Sequence, residues 1–171
     1  MKESWLDKTG MDFLKHNNKF EIGIVCAEWN ASITSKLLEE CQEALHETGV
    51  LNDKIHLVRV PGTFELPAAM KILMSHKNCD VIIGLGCVIK GSTDHDEYIN
   101  HAVATGMTQL SLISNTPCIF GVLTTKTAEQ ALKRADGTVE NKGRECAFSA
   151  IRMAQIKNEI KNQQKDRIGF I

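Results

Sequence analysis

VIIGLGCVI (Val81–Ile89), running straight into KGSTDHDEY (residues 90–98), decides the fold. A continuous apolar run of this length, bounded at once by small polar and charged residues, is the pattern of a parallel strand covered on both faces. Gly91-Ser92-Thr93 then turns the chain, and Asp94, His95, Asp96 and Glu97 open a helix. Tyr98, Ile99, Ala102, Val103, Gly106, Met107, Leu110 and Ile113 recur at i, i+3, i+4, i+7 spacing, which predicts that this helix buries all of them. The strand therefore delivers a small-residue loop and a histidine to one edge of a sheet.

The same alternation extends in both directions. Residues 20–27 (FEIGIVCA) form a second apolar run, followed by a helical series Ile33, Leu37, Leu38, Cys41, Ala44, Leu45 that Gly49 stops. IHLVRV (Ile55–Val60) is a more polar strand, suited to a sheet edge, and ends at Pro61-Gly62. Thr63 is placed to cap a helix over residues 64–76, with Pro67 in its first turn. Residues 118–123 (CIFGVL) make a fourth strand, Thr127-Ala-Glu-Gln130 reads as a capping box for a helix to about Ala135, and Ala147, Phe148, Ile151 and Ala154 mark a last helix. Strands alternating with helices imply right-handed βαβ crossovers. The expected fold is α/β: a three-layer α/β/α sandwich on a four-stranded parallel sheet, flavodoxin-like in order. Ligands of such sheets bind outside the carboxyl ends of the strands, at the switch in strand order.

A chain of 171 residues fits one domain over 1–171, with residues 1–19 as an N-terminal arm. A hydrophobic fraction of 43% and a formal net charge of −1 are those of a water-soluble globular protein and supply no electrostatic argument for nucleic acid or an anionic membrane. MKESWLDKTGMDFLKHNNKF lacks an apolar targeting core, and no uncharged run approaches the ~20 residues of a membrane span. A cytoplasmic location is expected. Cys26, Cys41, Cys79, Cys87, Cys118 and Cys146 show no C-x-x-C or zinc-finger spacing and read as small buried hydrophobes rather than metal ligands or disulfides.

Candidate chemistry gathers at the four strand ends. Gly91-Ser92-Thr93 before a helix offers N–H groups, hydroxyls and a helix dipole that suit a phosphate, though the same residues suit an ordinary capped turn. His95 is flanked by acids that can hold it or raise its basicity, and those acids equally suit a solvated helix N-terminus. His101 lies six residues on, off the face a metal pair would need. Trp29 and Phe64 can stack on a planar ring or belong to the core, and Glu65 can accept hydrogen bonds from a polyol or ring N–H. Arg134 and Lys142 offer cations to a phosphate, or solvated charge.

Taken together, AEWN (27–30), VPGTFELP (60–67), GCVIKGSTDHDEY (86–98), FGVLTTKTAEQAL (120–132) and NKG (141–143) resemble the 6,7-dimethyl-8-ribityllumazine synthase family, in its order and spacing, over residues 20–156. The chain departs from the usual pattern at Glu28, where arginine is common, at Trp29, where phenylalanine is common, and at Thr138-Val139-Glu140, where a lysine and a second glycine are usual. The resemblance implies condensation of 5-amino-6-(D-ribitylamino)uracil with 3,4-dihydroxy-2-butanone 4-phosphate, releasing phosphate and water. It implies that Trp29 stacks on the pyrimidine, that Thr63, Phe64 and Glu65 hold the ribityl side, and that Cys87, Val88 and Ile89 line the ring edge. Ser92, Thr93 and Arg134 bind the phosphate on this reading, Phe120 covers the ring, His95 transfers protons, and Lys142 adds charge nearby. Arg134 and Phe120 would come from a neighbouring subunit of a pentamer, or of a multiple of pentamers up to an icosahedral shell, with riboflavin synthase as a further partner. The N-terminal arm is expected to be ordered by assembly. Imine formation, elimination, ring closure and dehydration require no redox change, so no cofactor and no metal are expected. Two other readings are a non-enzymatic flavin or lumazine carrier, against which the presence of His95 and Arg134 argues, and an FMN-binding electron carrier, for which CAEWNAS lacks phosphate-loop glycines.

Overall fold

Glycines at alternate positions of the central strand explain how tightly the layers close. The computed structural model describes residues 17–168 and holds four parallel strands: β1 (Ile22–Ala27), β2 (Ile55–Val60), β3 (Val81–Ile89) and β4 (Cys118–Thr125). Their order is β2-β1-β3-β4, with Ile22 opposite both Ile55 and Val81, and Ile82 opposite Cys118. The expected doubly wound order stands, with the polar strand β2 at one edge.

Alternate residues of β1 and β3 serve two cores, because successive side chains of a strand point to opposite faces. Ile22, Ile24, Val81, Ile83 and Leu85 meet α1 (Ala31–Glu47), α4 (Ala128–Ala135) and α5 (Lys142–Ile168) on one face. Val25, Ala27, Ile82 and Val88 meet α2 (Leu66–His76) and α3 (His95–Ser114) on the other. On that second face β3 carries Gly84 and Gly86. A Cβ on Gly84 would lie 2.9 Å from the Met107 methyl, and one on Gly86 would lie 2.8 Å from Thr63 Oγ1. The glycines are therefore where α3 and the turn before α2 approach the sheet most closely.

Helix α1 buries the expected series and ends as Gly49 takes φ 92°, its N–H donating to the His46 carbonyl. Two expectations need correction. Thr63 does not cap α2: residues 63–65 form a 3₁₀ turn, α2 starts at Leu66 with Pro67 in its first turn, and the buried Thr63 hydroxyl, its side chain pressed under Gly86, has no hydrogen-bond partner among the described residues. Helix α3 does not bury its whole apolar series, since only Val103 and Met107 are fully covered by the sheet, while Tyr98, Ala102 and Ile113 face outward. A helix lying on a sheet covers one stripe, and the apolar residues of α3 span more than one. The expected cap does form: Thr127 is the N-cap of α4 and its Oγ1 accepts from Gln130 N, while Gln130 Oε1 reaches back to Lys126 N, one residue before the cap. Of the N-terminal arm, residues 1–16 lie outside the described residues. Asn17 is buried, its side chain donating to the Thr48 carbonyl and accepting from Gln155.

Candidate active site

The connection leaving β1 runs toward β2 and that leaving β3 runs toward β4, so the loops part at the carboxyl edge and leave a cleft of about 540 Å³. Three strand ends build it. β1 supplies Trp29 and Asn30; the turn after β2 supplies Gly62, Thr63, Phe64 and Glu65; β3 and the loop after it supply Cys87, Val88, Ile89, Gly91, Ser92 and Thr93. His95, Asp96 and Ile99 from the first turns of α3 complete the wall. The loops are fastened by backbone: Glu28 N donates to the Val60 carbonyl at 2.7 Å, Trp29 N to the Pro61 carbonyl at 3.0 Å, and Lys90 N to the Thr125 carbonyl at 2.9 Å.

Asn30 was not among the residues singled out as site candidates in the sequence, yet it joins the two sides of the switch point. It takes a left-handed conformation (φ 61°) at the head of α1, and its Nδ2 donates to the Cys87 carbonyl at 3.0 Å. An asparagine between a strand and a helix is the usable signal, because Asn tolerates αL better than most residues.

Aromatic rings stand at the rim, with Trp29 74% and Phe64 57% exposed. Deeper in, Thr63 Oγ1 is buried without a hydrogen-bond partner among the described residues, whereas Asp96 Oδ1 lies 3.3 Å from Lys90 Nζ; the Glu65 carboxylate, exposed beside Phe64, is unpaired among the described residues. A cleft with flat apolar rims, a buried hydroxyl without a partner and a free carboxylate suits a planar ring that carries hydroxyl or N–H donors. Burial pushes the Cys87 thiol up to about 11, and its side chain packs with the core under α1.

The charged tetrad is arranged differently from the expectation. Lys90 Nζ reaches Asp94 at 3.1 Å, Asp96 at 3.3 Å and Glu97 at 3.4 Å, so the acids converge on the lysine. The Lys90 ammonium is held above its usual range, chiefly by the Asp94 hydrogen bond. None of these carboxylates bonds the His95 ring among the described residues; an ammonium is the stronger partner for them, and the exposed imidazole is left facing the cleft. Lys90 itself carried no sequence signal beyond its place at the end of the apolar run.

Three candidates lie elsewhere on the chain. Phe120 on β4 lines a depression of about 240 Å³ with Met107 and Leu112. Arg134 in α4 lines a further cleft of about 900 Å³, separated from the first by Val88 and Asp96, which border both. Arg134 Nη1 donates to Glu140 at 2.8 Å, and Lys142 pairs with Glu145 at 2.7 Å.

The 6,7-dimethyl-8-ribityllumazine synthase family model matches residues 19–158. A 6,7-dimethyl-8-ribityllumazine synthase of Parabacteroides distasonis is 46% identical over 139 residues, which cover 81% of this chain and 87% of the relative. The chain belongs to the lumazine synthase family. Among the family's expected positions, this chain holds every one from the first three strand ends, with Ser92, Thr93 and His95, in a single cleft. Phe120 and Arg134, which the resemblance assigns to a neighbouring subunit, lie outside it. Among the described residues no helix is long and apolar enough to cross a membrane.

Proposed function

We propose that this lumazine synthase homologue condenses 5-amino-6-(D-ribitylamino)uracil with 3,4-dihydroxy-2-butanone 4-phosphate, releasing phosphate and two waters and yielding 6,7-dimethyl-8-ribityllumazine. The observation that carries the reading is the cleft at the β1/β3 switch point, where a ring-stacking rim, the partnerless Thr63 hydroxyl, the Glu65 carboxylate and a hydroxyl-rich helix-start loop line one space. On this reading Trp29 stacks on the pyrimidine, while Thr63, Phe64 and Glu65 take the ribityl chain. Cys87, Val88 and Ile89 present backbone polar groups to the ring edge. Ser92 and Thr93 take the phosphate at the N-terminus of α3, where the dipole favours an anion.

His95 serves as the proton carrier: it accepts from the attacking amine and returns the proton as the carbonyl oxygen leaves as water. The Asp94, Asp96 and Glu97 carboxylates, already drawn to Lys90, leave the ring free to do so. Positioning of the two substrates contributes most of the rate, on the scale of ~7 to 11 kcal/mol, with proton transfer adding ~10² to 10⁴-fold.

A single chain carries the site in parts, which supports a homo-oligomer, read from the family as a pentamer or a multiple of pentamers. Exposed Tyr98, Leu112 and Ile113 on α3 and the separation of Arg134 and Phe120 from the cleft agree with that. Lys142 adds positive charge at the shared site. A cytoplasmic location and association with riboflavin synthase complete the proposal.

The test is to mix purified protein with both substrates, without added flavin or metal, and follow lumazine absorbance. Product above the spontaneous rate is expected. Tight product binding with no acceleration would reassign the chain as a carrier.

A further inference from the structure

The loop that departs most from the family pattern places an acid on the arginine assigned to the phosphate. Arg134 Nη1 donates to Glu140 Oε2 at 2.8 Å. The loop between them is fastened on both sides of the acid. Thr138 N donates to Asp136 Oδ1 at 2.9 Å, and Val139 N donates to the Lys133 carbonyl at 3.0 Å. Asn141 Nδ2 donates to Glu40 of α1 at 2.6 Å, and Asn141 Oδ1 accepts from Arg144 N at 3.1 Å. Glu140 therefore sits between two anchored residues, which lowers the entropy lost when its carboxylate meets the guanidinium. Of the other cations bordering the same cleft, Lys133 is held by Glu129 at 2.7 Å and Lys90 by its three acids, while Lys126 has no acid partner among the described residues.

We infer that Glu140 is an internal competitor for Arg134: its carboxylate holds the guanidinium until a phosphate dianion displaces it, and takes it back when inorganic phosphate leaves. The inference rests on the assignment of Arg134 to the phosphate. No bond is made or broken; one ion pair replaces another. A phosphate of charge about −1.5 to −2 with three acceptor oxygens binds a guanidinium fork more strongly than a single carboxylate does. Glu140 thus weakens phosphate binding and eases product release.

The test compares Glu140→Gln, Arg134→Gln and the double variant in the oligomer as purified, with KM for butanone phosphate and the inhibition constant of inorganic phosphate as readouts. Both side chains are about half exposed, so the pair is worth roughly two- to fivefold. Glu140→Gln should lower both constants by about that factor, the gain should vanish in the Arg134→Gln background, and KM for the pyrimidine should not follow. Unchanged constants in Glu140→Gln, with KM raised in Arg134→Gln, would overturn the competitor role alone. An unchanged KM in Arg134→Gln would overturn the phosphate assignment, and this inference with it.

Discussion

Gly86→Ala probes the link between sheet and site most directly. A Cβ there would lie 2.8 Å from Thr63 Oγ1, 2.9 Å from Thr63 Cγ2 and 3.2 Å from Leu66 Cδ1. Thr63 is 5% exposed and β-branched, so it has few rotamers with which to retreat. The turn of residues 63–65 must then shift outward, carrying Phe64 and Glu65 with it. Overpacking of this kind costs about 1 to 3 kcal/mol, which in a chain of this size moves the melting temperature by roughly 2 to 4 °C per kcal/mol. Urea denaturation at fixed protein concentration measures the loss, and steady-state kinetics should show KM for the pyrimidine rising more than that for the butanone phosphate. Thr63→Ala removes both offending atoms, so the double variant should recover most of the stability that Gly86→Ala loses. Full stability in Gly86→Ala, or additive losses in the double variant, would refute the close-approach argument.

His95→Ala should lower kcat by no more than ~10² to 10⁴-fold and leave product formation above the spontaneous rate; a variant no faster than buffer would show that proton transfer, not positioning, dominates. Asn30→Gly loses the bond to the Cys87 carbonyl but keeps the left-handed backbone, whereas Asn30→Ala adds about 1 to 2 kcal/mol of strain, so the alanine variant should melt lower. Burial raises the Cys87 thiol from 9.0 to about 11, so the folded state holds its proton longer than the unfolded chain does and stability is lost as pH climbs through that window. Between pH 7 and pH 10 the margin of the parent protein over Cys87→Ala in urea should shrink by about 1.4 kcal/mol, and a constant margin would show that the thiol titrates alike in both states.

What the sequence made legible was whatever one element determines alone. The run Val81–Ile89 is apolar because both of its faces are covered, and from that fact follow a parallel sheet, crossovers and a ligand edge. The α3 series misled because periodicity reports how much of a helix is apolar and not what covers it; Tyr98 and Ile113 lie beyond the stripe that a sheet can reach. Thr63 misled for a related reason. A threonine ahead of a helix is a cap only if its hydroxyl is free to turn back, and here β3 lies against it through Gly86. Partnerships among charges were the least legible. The acids beside His95 are its neighbours in the chain, but Lys90, from the strand end, reaches all three of them. Arg134 and Glu140 likewise meet through the turn between α4 and α5 rather than through helical spacing. A site assembled from strand ends can be located from the strands, while the state of its ionisable groups depends on loops whose closure no periodicity encodes.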